Sequence, residues 1–199
     1  MRFRPAAAAA LAMTTLVGLA AYLWPFFASP AFATSYGQDA PWLFAALLGL
    51  MALVVLAEVT ANGLDAKTVA VLGVLAAAGG AMRVLSAGTA GLEPIFVIFV
   101  LGGRVLGRSM GFLMGSLAML AGAFLTAGVG PWLPFQMLGA GWVALGAALL
   151  PRATGRIELA LLAGYGAFAG FAYGALLNLW FWPFLTPGSA PTGAGFVPG

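Results

Sequence analysis

Apolar residues fill long stretches of this chain, and polar residues are confined to short breaks between them. A helix needs about 17–25 apolar residues to cross a bilayer. The spacing of the breaks predicts such helices over Ala6–Phe27, Leu43–Thr60, Thr68–Ala87, Ser109–Ala127, Phe135–Leu150 and Ile157–Trp182. A further apolar segment, Pro94–Leu106, is short. At 1.5 Å per residue it covers only about 20 Å, so it spans thinly, tilts or re-enters. The expected fold is an all-α, polytopic helical membrane protein with about seven hydrophobic segments.

One break stands apart. In Gly128-Val-Gly-Pro-Trp-Leu-Pro-Phe-Gln-Met137, the prolines remove backbone donors and restrict their predecessors, and the glycines permit positive φ. This stretch reads as loop, with the next helix from Phe135. It joins two segments apolar enough for lipid, where irregular backbone survives only if buried in protein or lining a cavity. The expectation is a lid or wall of a binding site.

Composition sharpens the class. The chain is 63% hydrophobic and 7% charged, with a mean hydropathy of +1.06, outside the range of soluble domains. Its 29 glycines suit close helix packing, because small residues let backbones approach where lipid offers no hydrophobic drive. With neither cysteine nor histidine, disulfides and histidine acid–base chemistry are excluded, and zinc, haem and iron–sulfur sites are not expected. No metal site or cofactor is expected.

The charges predict a topology. Arg2, Arg4, Lys67, Arg104, Arg108, Arg152 and Arg156 fall on one side if the short segment crosses, and Arg83 alone falls on the other. By the positive-inside rule the basic side is the cytoplasm, with the N-terminus inside a cell membrane and residue 199 outside. The net charge of +3 therefore reports topology, and no nucleic-acid partner is expected. Arg2 and Arg4 before an apolar run, with Ala31-Phe32-Ala33 after it, partly resemble a signal peptide, but the apolar stretch exceeds the usual 7–15 residue core, which favours an anchor. The Pro/Gly/Ser-rich strip Gly188–Gly199 suits an extracytoplasmic loop leading to a further span.

Few polar side chains lie within the spans. Arg83 either holds an anionic ligand group, snorkels to headgroups or pairs with Glu93. Glu93, ahead of Pro94, is expected to cap the short helix or point into a pocket. Glu58 and Asp65 sit with Lys67 at the cytoplasmic edge as solvated helix ends. Asn178 needs a hydrogen-bond partner within its span, and Trp180 and Trp182 fall where an outer aromatic belt belongs. Trp132 and Gln136 flank Pro134. Thus Arg83, Glu93, Trp132, Gln136, Asn178 and Trp180 map to one membrane face, where sparse polar and aromatic groups at the end of an apolar bundle suit a small-molecule site.

Small-residue spacings suit helix contact: Ala77/Ala81, Ala76/Gly80, Gly107/Gly111/Gly115, Gly139/Gly146 and Gly166/Gly170/Gly174. Internal packing is the expected use for most, and an exposed stripe would instead dock a partner helix. No G-x-x-x-x-G-K-[ST] occurs, no carboxylate lies mid-span, and no nucleophile–base pair is present. An enzyme is therefore not expected, and uphill transport would need an external energy source.

Ala90-Gly-Leu-Glu-Pro-Ile-Phe96, Leu101-Gly-Gly-Arg-Val-Leu-Gly107 and Gly128-Val-Gly-Pro-Trp-Leu-Pro-Phe-Gln-Met137 resemble the substrate-binding S components of energy-coupling factor transporters, actinobacterial type. Gly63-Leu-Asp-Ala-Lys67 and Asn178-Leu-Trp-Phe-Trp-Pro183 fit the same group. The resemblance implies a six-helix core that captures a vitamin-like substrate outside, then docks on a transmembrane coupling protein driven by two ATPase subunits. It implies docking through Ala77 and Ala81, and a gating loop of Gly128, Gly130, Pro131, Trp132 and Pro134. It divides the chain into two extra N-terminal helices (1–62), an S-component-like core lacking its last helix (63–183) and a Pro/Gly-rich tail or loop (184–199). The competing expectations are a stand-alone secondary transporter or channel, and a membrane assembly subunit without a ligand.

Overall fold

The computed structural model describes residues 5–27, 66–85, 93–130 and 132–185, with parts of 42–60. Every regular element among them is helical: α1 (Pro5–Phe27), α2 (Ala66–Leu85), α3 (Ile95–Leu106), α4 (Arg108–Leu125), α5 (Leu133–Leu149) and α6 (Gly155–Leu185). The described residues between 42 and 60 are helical too, and Met51 and Val54 there are buried. This is a helical membrane protein. Pro5–Leu23, Ala66–Leu85, Arg108–Leu125 and Gly155–Asn178 are long and apolar enough to cross a bilayer, while Ile95–Leu106 and Leu133–Leu149 are apolar but shorter.

The centre of the bundle is α4, packed between α2 and α5, with α3 closing against α4 and α5. Absent side chains bring these helices together. A methyl group at Gly103 of α3 would stand 2.0 Å from the carbonyl oxygen of Ala144 on α5. One at Gly115 of α4 would stand 2.5 Å from the carbonyl of Ala140, and one at Gly80 of α2 would stand 2.9 Å from the amide of Gly122. Backbones meet directly, as expected where dispersion rather than hydrophobic exclusion joins helices. Phe99, Phe112, Phe135, Met114, Met119 and Leu138 fill the remaining space and are fully buried. Inside that core the Ser116 hydroxyl donates to the Met137 carbonyl at 3.0 Å.

Gly107 separates α3 from α4 in a single residue. Its φ of 84° and ψ of −171° lie in a region essentially reserved for glycine. A methyl group there would meet nothing within 4 Å, so backbone geometry rather than packing requires this glycine.

The loop between α4 and α5 departs from expectation in two ways. Helix begins at Leu133, so Leu133–Met137 is not loop, and Pro134 occupies the first turn. A proline there loses no intrahelical hydrogen bond, and its fixed φ suits the helix. The positive φ falls on Ala127, at 53°, and on neither Gly128 nor Gly130. The Gly128 amide donates to the Ala123 carbonyl at 2.8 Å, closing α4 with the six-to-one bond of a Schellman turn. A residue with a Cβ thus takes the left-handed position.

Helix α1 is keyed into the core. The Tyr22 hydroxyl donates to the Phe135 carbonyl at 2.5 Å, its ring meets Phe135 edge-on at 5.0 Å, and Gly18 lies against Leu138. Helix α6 runs about 46 Å at 1.5 Å per residue and is mostly exposed, with Phe168 and Phe171 facing outward. It is fastened at two tyrosines. Tyr165 lies against Gly146 and donates to the Val143 carbonyl at 2.7 Å, and Tyr173 packs over Gly139.

Candidate functional site

From α2 to α6 consecutive helices alternate in direction, so the bundle has two distinct ends. At one, the end of α2 and the start of α3 meet the α4–α5 loop; at the other, the turn between α3 and α4 meets the α5–α6 connection.

Arg83, in the last turn of α2, organises the first end. Its stem lies flat across α4 at Gly122, where a methyl group would be 2.7 Å from the Arg83 Cδ. The guanidinium then reaches into the gap between α4 and α5. Nη2 donates to Gln136 Oε1 at 2.9 Å, and Nη1 reaches the Met119 sulfur. Arg83 is therefore turned inward and half-buried, with Gln136 and Met119 as partners rather than Glu93. No ion pair among the described residues involves it.

The loop shelters this guanidinium. Gly128 approaches it, since a methyl group there would be 3.8 Å from Arg83 Nη2. The Trp132 indole N–H donates to the Gly128 carbonyl at 3.1 Å, which folds the ring back over Gly130. A methyl group at Gly130 would be 2.4 Å from that ring. The loop glycines thus serve close approach, not positive φ. Trp132 remains 40% exposed. Pro134 is buried at the start of α5, and Pro131 lies outside the described residues.

Glu93 is exposed beside this end. Its backbone carbonyl, not its carboxylate, accepts the Phe96 amide in the first turn of α3, at 3.2 Å. The expected side-chain cap is therefore replaced by a backbone turn through Pro94, which has no N–H and so needs no acceptor. Asn178 is exposed on α6 and makes no described contact with Arg83 or Gln136, and the Trp180 side chain lies outside the described residues. The α6 residue that reaches inward is Tyr173. It sits edge-on to Phe96 at 5.3 Å, covers Gly139 and lies within electrostatic reach of both Glu93 and Arg83. Five helical positions separate Tyr173 from Asn178, which turns them about 140° apart and explains why both cannot face the bundle.

Sequence reasoning thus missed Met119, Gly122 and Tyr173. Tyr173 carried a detectable signal: it is the aromatic residue beside Gly174, within the run Gly166/Gly170/Gly174. Of that run, Gly166 meets Val100, while Gly170 and Gly174 meet nothing within 4 Å, so the stripe is packed internally at one end only. On α2 the small residues divide by face. Ala76, Gly79 and Gly80 are buried, with Gly79 and Gly80 against α4, and Ala77 and Ala81 are exposed.

The opposite end is built from charge. Arg104 donates from Nε to Glu158 Oε1 at 2.7 Å and from Nη2 to Oε2 at 3.0 Å. It also donates to the carbonyls of Leu150, at 2.6 Å, and Pro151, at 2.8 Å. Glu158 in turn accepts the Ala153 amide at 2.9 Å. Glu158 had not been singled out from the sequence, because an acidic residue in a first helical turn is common and its partner lies 54 residues away. With this geometry established, comparison of the chain with known protein families, curated proteins and solved structures finds no match.

Proposed function

We propose that the chain is a membrane-embedded capture subunit that binds a vitamin-class solute at the Arg83 end of the bundle. The single observation that supports this most is the half-buried Arg83–Gln136 pair beneath a loop whose tryptophan is half open. Sparse polar groups converging at one end of an apolar bundle suit a small-molecule site. By the positive-inside rule the basic end, with Lys67, Arg104, Arg108, Arg152 and Arg156, faces the cytoplasm, and the Arg83 end faces outward.

The sequence resemblance to S components supplies the rest of the reading. The exposed Ala77 and Ala81 face of α2 docks on a transmembrane coupling protein, and two partner ATPases provide the energy. The loop of Gly128, Gly130, Trp132 and Pro134 gates the site. Replacing both Ala77 and Ala81 with Leu abolishes co-purification with the coupling protein and leaves solute binding in place.

Native mass spectrometry of the detergent-purified chain tests the capture role. A small-molecule adduct present in the natural protein and absent from Trp132→Ala is the expected result. No adduct, and none after incubation with a vitamin panel, would instead favour a membrane assembly subunit.

A further inference from the structure

Arg83 is a guanidinium that forms no ion pair among the described residues, although Glu93 also stands at this end of the bundle. Arginine cannot release its proton in a protein, so partial burial leaves a permanent cation to be compensated. Its described partners are a neutral carboxamide oxygen and a thioether sulfur, and the latter is a weak acceptor. Taking even part of an ion out of water is unfavourable, and hydrogen bonds to neutral groups offset that only in part. The same bundle gives Arg104 a bidentate carboxylate and two carbonyls. Gly122 also keeps the surface beneath Arg83 flat, so the stem lies along α4 and the guanidinium is delivered to the α4–α5 gap.

We propose that Arg83 and Gln136 form a receptor for an anionic oxygen group, a carboxylate or a phosphate. This inference rests on the capture reading for the identity of the group's carrier. The guanidinium fork takes the two oxygens side by side. Gln136 now accepts from Arg83 through Oε1, and rotating its terminal amide presents the NH₂ group as a further donor to the anion. Trp132, Phe96 and Tyr173 stand around this end, so the carrier's body is apolar or aromatic. The fitting class is a small organic acid or phosphate ester with a flat body. The headgroup of an anionic lipid offers the same chemistry, and the test separates the two sources.

The test is thermal unfolding of the full chain in neutral detergent, at fixed ionic strength, with benzoate, phenyl phosphate, inorganic phosphate or the uncharged benzamide. A second arm measures unfolding in nanodiscs of phosphatidylcholine alone or mixed with phosphatidylglycerol. The variants are Arg83→Gln and Gln136→Glu. The latter places a carboxylate where the amide oxygen stands, so it neutralises Arg83 internally while preserving the contact that a purely structural role would need.

The expected result is a rise in melting temperature with at least one soluble anion and none with benzamide. Binding at a hundredfold excess over Kd stabilises by about 2.7 kcal/mol, a shift of several degrees. Both variants lose that shift, and Gln136→Glu keeps a natural melting temperature without ligand. A response to phosphatidylglycerol alone, lost in both variants, upholds the anion receptor but makes lipid its source and removes the capture reading from this site. No response to any anion, or a response unchanged in Arg83→Gln, overturns the receptor. A Trp132-dependent adduct in the mass spectrum would then leave the capture reading standing by itself.

Discussion

Arg104 and Arg83 stand at opposite ends of one bundle, and the bundle treats them oppositely. Arg104 joins α3 to the α5–α6 connection through a fork on Glu158 and two bonds to carbonyls that a helix end leaves free. The Arg104 and Glu158 side chains are only 11% and 24% exposed, so geometry and partial burial both strengthen the pair. Arg83 has a comparably long stem and is also half-buried, yet its partners among the described residues carry no charge. One cation is paired with a carboxylate, and the other, among the described residues, is not. Where nearly every side chain is apolar, that difference separates a strut from a site better than position in the sequence does.

The comparison can be strained from its scaffold outward. The largest effect belongs to the helix contacts on which both ends depend. Gly103→Ala forces a methyl group against the Ala144 carbonyl, and backbone cannot yield as a flexible side chain can. Overpacking of this kind costs about 3 kcal/mol or more, which appears as a melting temperature lowered by roughly 10 °C or as failure to purify.

Arg104→Met comes next. It removes the fork and both carbonyl bonds while keeping the stem, and it lowers the melting temperature by about 5–10 °C. Solute binding at the far end persists in whatever fraction folds, which a mass-spectrometric adduct count checks. Loss of binding without loss of stability would show that the ends are coupled.

Trp132→Ala has a smaller effect on stability and a larger one on ligand. The indole gives up one partly exposed hydrogen bond, worth about 1 kcal/mol. Solute affinity falls about tenfold or more as the stacking face is lost. An unchanged affinity in a dialysis assay would place the ligand elsewhere.

The smallest effect is a gain. Ala127→Gly relieves the left-handed φ of 53° and stabilises by about 0.5–1 kcal/mol, seen as a rise of 2–3 °C. If that variant also binds solute less tightly, the strained alanine holds the loop in its receptive shape.

Much of this arrangement was legible in advance, and the exceptions have physical causes. Apolar run length and the Gly/Pro breaks located the helices to within a few residues, because lipid tolerates little else. The expected contact glycines Gly111 and Gly115 do lie against neighbouring helices, though the facing partners, Gly103 and Ala140, belong to other segments that spacing along one helix cannot name. Arg83 and Gln136 were both drawn from the sequence, one as a cation on the unexpected side and one as a polar residue beside Pro134. That they touch depends on Gly122, whose role exists only once α2 lies across α4. Asn178 was selected because polar residues in spans seek partners, but helical phase turned Tyr173 inward instead. Residue type announces need; only the packed helices decide which need is met.

The most direct test of the contrast is a pair of melting curves, without ligand, for Arg83→Met and Arg104→Met in the same detergent. An unmatched cation contributes little to the fold, so Arg83→Met should melt within about 2 °C of the natural protein, or above it, while Arg104→Met melts well below. Equal destabilisation of the two variants would contradict the account, because Arg83 would then be a strut like Arg104 and its place at the site an accident of architecture.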